Sequence, residues 1–227
     1  METKSINVFM VDDHAMILKS YADELKKFEN HSGIYRFQIE RAYSLLQAID
    51  VLKFTFEKRE MHLVLLDIGL PNCEVPGYKS GLELGIAIRE NYPKTKIIVI
   101  TSYNSYPLIQ RLFDLIKPEG LLLKGELNPE GLRAAVQDVL EGVPHFTKTV
   151  RKFLTQAPVK PNILDHYDML ILYYLSEGVL TKDLVNHLPL SLRSIERRKN
   201  NLKDILKLDY KSSDVMLLNR AKEEGFL

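Results

Sequence analysis

Five short stretches of strand character, four of them apolar runs and one alternating, each followed by a stretch of helical length and spacing, constrain this chain more than any other feature. They are INVFMV (6–11), YRFQIE (35–40), HLVLLD (62–67), KIIVIT (96–101) and GLLLK (120–124). Helical spacing occupies 16–28, 44–58, 81–91 and 106–116, the last with Pro107 tolerated in its first turn. A fifth helix starts where Asn128 caps Pro129 and runs to about Glu141. The stretch Leu63–Leu66 is apolar throughout, as in a strand covered on both faces. Strands alternating with helices in this way predict an α/β fold, a doubly wound five-stranded parallel sheet.

At Gly142 the pattern changes. Residues 142–162 carry Pro144, Pro158 and Pro161 and read as a linker holding one short helix near 148–156. Only helical spacing follows, at 165–176, 181–187, 191–206 and 213–224, with Gly178 and Gly225 just past two of the ends. The expected division is 1–141, an α/β domain; 142–162, the linker; and 163–227, a small all-α domain. No apolar run approaches the length of a membrane span, and the acids directly after INVFMV do not fit a secretory signal. A single cysteine, Cys73, excludes an internal disulfide and fits a reducing cytoplasm. With a formal net charge of +1, any basic surface has to be local.

The acids at the strand ends point to chemistry. Asp12 and Asp13 close the first run, Asp67 the third, Thr101-Ser102 the fourth and Lys124 the fifth. In a parallel sheet all of them gather at the carboxyl edge, where open α/β sheets bind their ligands. Three carboxylates in one place repel and require a cation, and Mg²⁺ suits a few carboxylates plus waters. Lys124 adds a compact positive charge and Thr101 a hydroxyl donor, so that Asp67 is placed to attack a phosphoryl group. Singly, each residue has an ordinary explanation. Asp12 or Asp13 can cap the helix at 16–28, Asp67 can open a turn ahead of Pro71, and Lys124 can be a solvated end. Their joint placement at successive strand ends argues against coincidence.

VDDH, LLDIGLP, VITS and LLLKG stand in the order of the receiver-domain landmarks, and the chain resembles the two-domain bacterial response regulators along nearly its whole length. The resemblance implies that a sensor histidine kinase phosphorylates Asp67. It also implies that Asp12, Asp13, Asp67 and the carbonyl of Gly69 hold Mg²⁺, and that Thr101 and Lys124 contact the phosphoryl oxygens. Three departures stand out. Leu121 occupies the position of the family's switch aromatic, for which Tyr103 and Tyr106 are candidate substitutes. The loop after Asp67 is long, and it carries Cys73, read as a plain loop thiol. His14 is read as part of the loop framing the acids. A dehalogenase-type phosphatase needs a second acid two residues after its nucleophile, where Gly69 stands.

In the helical end, Ser191 caps a helix after a short helix and an LPL turn, the spacing of a helix-turn-helix. Leu192, Ile195, Leu202, Ile205 and Leu206 give that helix its apolar stripe, and basic residues crowd the remainder. Leu175 through Leu202 resembles the LuxR-type helix-turn-helix of the NarL/FixJ class without a gap. By position, Glu196, Arg197 and Asn200 would face base edges, and Lys182, Arg193, Lys199 and Lys203 would contact phosphates. The helix at 213–224, with Val215, Leu217 and Leu218, is either a dimer surface or core. The expectation is a cytoplasmic, non-enzymatic transcription regulator in which phosphorylation of Asp67 promotes homodimerisation and binding to double-stranded DNA, with no membrane partner. The alternative is a phosphorylation-independent receiver acting as an interaction module.

Overall fold

The computed structural model describes residues 3–71, 78, 80–155, 164–224 and 226–227. Among these, six strands form one parallel sheet: β1 (Lys4–Val11), β2 (Tyr35–Ala42), β3 (Leu63–Leu66), β4 (Lys96–Thr101), β5 (Gly120–Leu123) and β6 (His145–Phe146), in the order β2-β1-β3-β4-β5-β6. Its helices are α1 (Ala15–Ser32), α2 (Leu45–Val51), α3 (Gly81–Asn91), α4 (Tyr106–Leu115) and α5 (Pro129–Leu140). α2 continues as one π-helical turn, Leu52–Phe56, which carries Phe56 onto Phe9 at 5.4 Å between ring centroids.

Period-two alternation divides the core. Val8, Met10, Leu63, Leu65 and Leu122 face α1 and α5, where Leu18, Leu25, Leu132 and Val136 meet them. Phe9, Val11, Val64, Leu66 and Leu121 face the opposite way, toward α2, α3 and α4. Both faces are thus covered, which is why β3 (LVLL) and β5 (GLLL) carry no polar side chain.

The sixth strand is an addition to the five read from sequence. Pro144 has no N–H to give to a ladder, so pairing begins at His145, whose N–H donates to Glu119 O (3.0 Å), and ends with Thr147 N–H on Leu121 O (3.2 Å). The next helix, α6 (Lys148–Leu154), lies against the same edge: Phe113 of α4 meets Phe146 at 5.2 Å, and Tyr106 meets Phe153 at 5.7 Å.

The rest is helical: α7 (His166–Ser176), a 3-10 segment Thr181–Asn186 where a short α-helix was expected, α8 (Leu192–Ile205) and α9 (Asp214–Glu223). Asp165 and Asp168 form a reciprocal capping box at the start of α7, and Arg198 of α8 donates to both, at 2.6 and 2.8 Å. Gly178 ends its helix with φ +85°, as expected of a left-handed cap; Gly225 lies outside the described residues. α7 packs on α4, joining the two halves. In the long loop after Asp67, residues 72–77, with Cys73, and 79 also lie outside the described residues.

Candidate functional site

Strand register assembles the acids. Val11 lies opposite Leu66, so Asp12 and Asp67 leave neighbouring strands side by side; Thr101 lies opposite Leu123, which brings Lys124 to the same edge. The Lys124 ammonium donates to Asp12 Oδ2 and to Asp67 Oδ2, each at 2.7 Å. Asp12 is 1% exposed and Asp67 5%. The remaining oxygens are also occupied: Asp67 Oδ1 accepts from Gly69 N–H (2.8 Å) and Asp12 Oδ1 from His14 N–H (2.9 Å). Neither acid caps α1, whose N-cap is His14 without a side-chain bond. The turn role open to Asp67 is real, but it uses one oxygen only.

Burial raises the Asp67 carboxyl above the usual carboxylate range, against the pull of Lys124. Burial alone would lower Lys124, but Asp67 and Asp12 outweigh it and hold the ammonium above its ordinary value. Two carboxylates in direct contact with one ammonium keep Lys124 charged. One lysine against three acids leaves the edge negative. Asp12, Asp13 and His14 offer ligating atoms all within 4.8 Å of one another, and the His14 ring lies 2.8 Å from Asp13 Oδ1. His14 therefore touches the acids directly, beyond the framing role read from sequence. These donors, mostly hard oxygens, fit a divalent cation.

Gly69 sets bare backbone against the Asp67 carboxylate. A Cβ there would lie 3.3 Å from Asp67 Oδ1 and 3.7 Å from the Tyr103 hydroxyl. Thr101 is fully buried, its hydroxyl accepting from Tyr103 N–H at 3.0 Å. Leu121 is buried in the core on the α4 side, so the aromatic ring beside the acids is that of Tyr103. The Tyr103 hydroxyl is hydrogen-bonded to that of Tyr174 in α7 (2.8 Å).

The residues expected on the DNA side divide into two groups. Lys182, Arg193, Glu196, Arg197 and Asn200 are exposed, the last four along one side of α8. Lys199 and Lys203 are buried. The Lys199 ammonium lies 2.6 Å from Asp214 Oδ1 and donates to Thr181 Oγ1 at 2.5 Å, while Lys203 donates to Tyr210 O at 2.8 Å. As folded, these two charges are held inside the domain and do not face a phosphate backbone. The helical stripe explains it: Ile195, Lys199, Leu202 and Leu206 follow 3.6-residue spacing, whereas Leu192 and Ile205, expected in the stripe, fall partly outside it at 40% and 38% exposure. In α9, Leu217 is core, and Val215 and Met216 are exposed.

Residues 8–137, more than half of the chain, match the family described as the response regulator receiver domain. The oxygen regulatory protein NreC of Staphylococcus epidermidis is 25% identical over 96% of this chain and 98% of its own length. The transcriptional regulatory protein RcsB of Escherichia coli is 24% identical over 95% of this chain and 93% of its own. Among solved structures, the RcsB response regulator of Salmonella typhimurium superposes with a TM-score of 0.69 at 23% identity, covering 98% of this chain and 100% of that one. An RcsB–DNA complex gives 0.57 at 23%, covering 96% and 98%. The superpositions carry the two-part architecture: parallel sheet first, helical end second.

Proposed function

Because the chain belongs to the response regulator receiver family, we propose that it is a DNA-binding transcriptional regulator switched by phosphorylation of Asp67. The observation that carries this reading is the Lys124 ammonium bonded equally to Asp12 and Asp67 at the open edge of the sheet. That arrangement neutralises a buried nucleophile without blocking its Gly69 side. An Asp67 oxygen would form the new O–P bond as the P–N bond of a phosphohistidine breaks, its electron pair leaving with the imidazole. Lys124 would then turn to the phosphoryl oxygens, and Thr101 would donate its hydroxyl to one of them. Asp12, Asp13, Asp67 and the Gly69 carbonyl would hold Mg²⁺, which would supply charge neutralisation. The product is a switched protein and not a released molecule, so no turnover is expected.

The exposed face of α8, with Arg193, Glu196, Arg197 and Asn200, is the DNA-reading surface in this proposal, and Lys182 a phosphate contact. NreC and RcsB are named as regulators, and an RcsB relative has been seen on DNA, which supports the same reading here. A dimer would read two half-sites, and two weak modules on one duplex gain far more affinity than one. The expected domain limits, 1–141, 142–162 and 163–227, and a cytoplasmic location belong to the same proposal. No described helix is long and apolar enough to cross a membrane.

The test is intact mass and solution size, with phosphoramidate and Mg²⁺, on the wild-type chain and Asp67→Asn. A phosphoryl mass gain confined to the wild type, with movement from monomer to dimer and tighter binding to duplex DNA, is expected. A dimer that forms and binds DNA without any adduct favours the phosphorylation-independent module, which the buried Leu121 at the switch position would then explain.

A further inference from the structure

The sheet ends differently on its two sides. One edge is the two-residue β6, followed directly by α6. The other is β2, eight residues long, paired with β1 over its whole length and, among the described residues, with no strand beyond it. An open edge of that length is a template for a further strand. Ile34 O accepts from Lys4 N–H at 2.8 Å and Ala42 O from Asp12 N–H at 3.3 Å. The even-numbered residues of β2 therefore turn their backbone toward β1, and the odd ones, Tyr35, Phe37, Ile39 and Arg41, turn theirs outward. Beside this edge runs a groove of about 280 Å³, with Asp23, Lys26 and Glu29 of α1 on one side and Phe37, Ile39 and Arg41 on the other.

We propose that the β2 edge is an interface between two copies of this chain, paired antiparallel about a two-fold axis at Gln38. In that register Phe37 faces the partner's Ile39 and Tyr35 the partner's Arg41. Outward backbone thus meets outward backbone, as the hydrogen-bonded pairs of an antiparallel ladder require. Between them Arg36 faces the partner's Glu40, and Gln38 faces its own copy. The charges select this register: a slip of two residues either way separates Arg36 from Glu40. A foreign strand meets Arg36, Glu40 and Arg41 without matching charges, whereas a second copy brings them in the complementary order, and the two-fold closes the contact at two chains. Glu40 Oε1 also accepts from Arg59 of its own chain (3.1 Å), which holds the carboxylate at the edge. One group opposes pairing. Glu29 Oε2 accepts from Phe37 N–H at 2.9 Å, a donor that the second copy needs, so the contact is weak and depends on concentration.

The experiment uses the full chain carrying Asp67→Asn and no phosphodonor, so the phosphoryl switch plays no part and no outcome bears on Asp67 as acceptor. With Cys73→Ser, an introduced cysteine is the only thiol. Oxidised glutathione should then join two Gln38→Cys chains, because residues on the axis of the ladder lie about 4.5 Å apart at Cα, within disulfide range. Arg36→Cys alone should give no covalent dimer, since its two copies lie four residues apart along the ladder, about 14 Å. Mixed with Glu40→Cys it should give the heterodimer. Sedimentation velocity over a range of concentrations, on chains without added cysteines, supplies the second measurement. Arg36→Glu should weaken association about tenfold, because the like-charge pair occurs twice in a two-fold dimer. Arg36→Glu with Glu40→Lys should restore it, and Glu29→Ala, which leaves the Phe37 N–H to the second copy, should tighten it. Equal crosslinking of Gln38→Cys and Arg36→Cys, a charge-swapped chain as weak as Arg36→Glu alone, or a wild-type edge that stays monomeric at every concentration would overturn the proposal.

Discussion

Lys199→Met separates a lysine that binds DNA from one that holds the helical domain together. Its ammonium sits 2.6 Å from Asp214 and 2.5 Å from Thr181, with 11% of the side chain exposed. Breaking a fully buried ion pair costs about 3–5 kcal/mol. Here the carboxylate left behind is 41% exposed, so water takes over part of the lysine's role. Asp214 also stands in the first turn of α9, where the helix N-terminus favours a negative charge. These discounts bring the expected loss to about 1–2 kcal/mol, and methionine fills the volume of the lysine stem without leaving a void. For a chain of this size the melting temperature should fall by roughly 3–8 °C. Circular dichroism of the full chain measures it, and a salt titration of DNA affinity supplies the second axis. Arg193→Ala, at an exposed position read as a phosphate contact, should do the opposite: stability within about 0.5 kcal/mol of wild type, and a salt slope lower by about one. The reasoning fails if Lys199→Met melts like wild type and lowers the salt slope instead.

Three further outcomes follow from the geometry. Gly81→Ala would set a Cβ 2.4 Å from Asp67 O and 2.6 Å from Ile68 Cα, both backbone, and should destabilise the chain by about 3 kcal/mol, read as a lower urea midpoint. Gly69→Ala keeps the fold but crowds the carboxylate at 3.3 Å, and should slow phosphoryl acceptance by about tenfold in the mass assay. Tyr103 and Tyr174 have pKa values raised in the folded chain by burial, so the stability they contribute is complete below the unfolded value of about 10 and is lost as pH climbs through the folded ones. Absorbance at 295 nm should therefore show late-ionising phenols that titrate only as the structure opens; all eleven tyrosines ionising together near pH 10 would contradict their burial.

The sheet and the acids at its edge were legible because both rest on local signals. An apolar run long enough to be buried on both faces reads as a central strand, and the residue that ends it is automatically at the edge. Asp12, Asp67, Thr101 and Lys124 needed only that rule and a parallel sheet to be brought together. β6 was not legible: two residues beside Pro144 carry no periodicity, and their pairing is decided by the free edge of β5. Tyr103 is legible as a candidate for the ring missing at Leu121, but its pairing with Tyr174, 71 residues away, is not. The inward turn of Lys199 is readable from its spacing, against its expected place on a phosphate. It stands four residues after Ile195 and three before Leu202, and that spacing outweighs the charge of the side chain once Asp214 and Thr181 are there to receive it.

Fastening β6 and α6 to the edge of the sheet also fixes how far the helical domain can travel. Only nine residues separate Leu154 from Leu164. Fully extended, they allow a reach of about 35 Å. An effector domain on so short a leash stays at an effective concentration on the order of millimolar beside its own receiver, even when the two are parted. The closed contact then needs little intrinsic affinity to re-form once the phosphoryl group is gone.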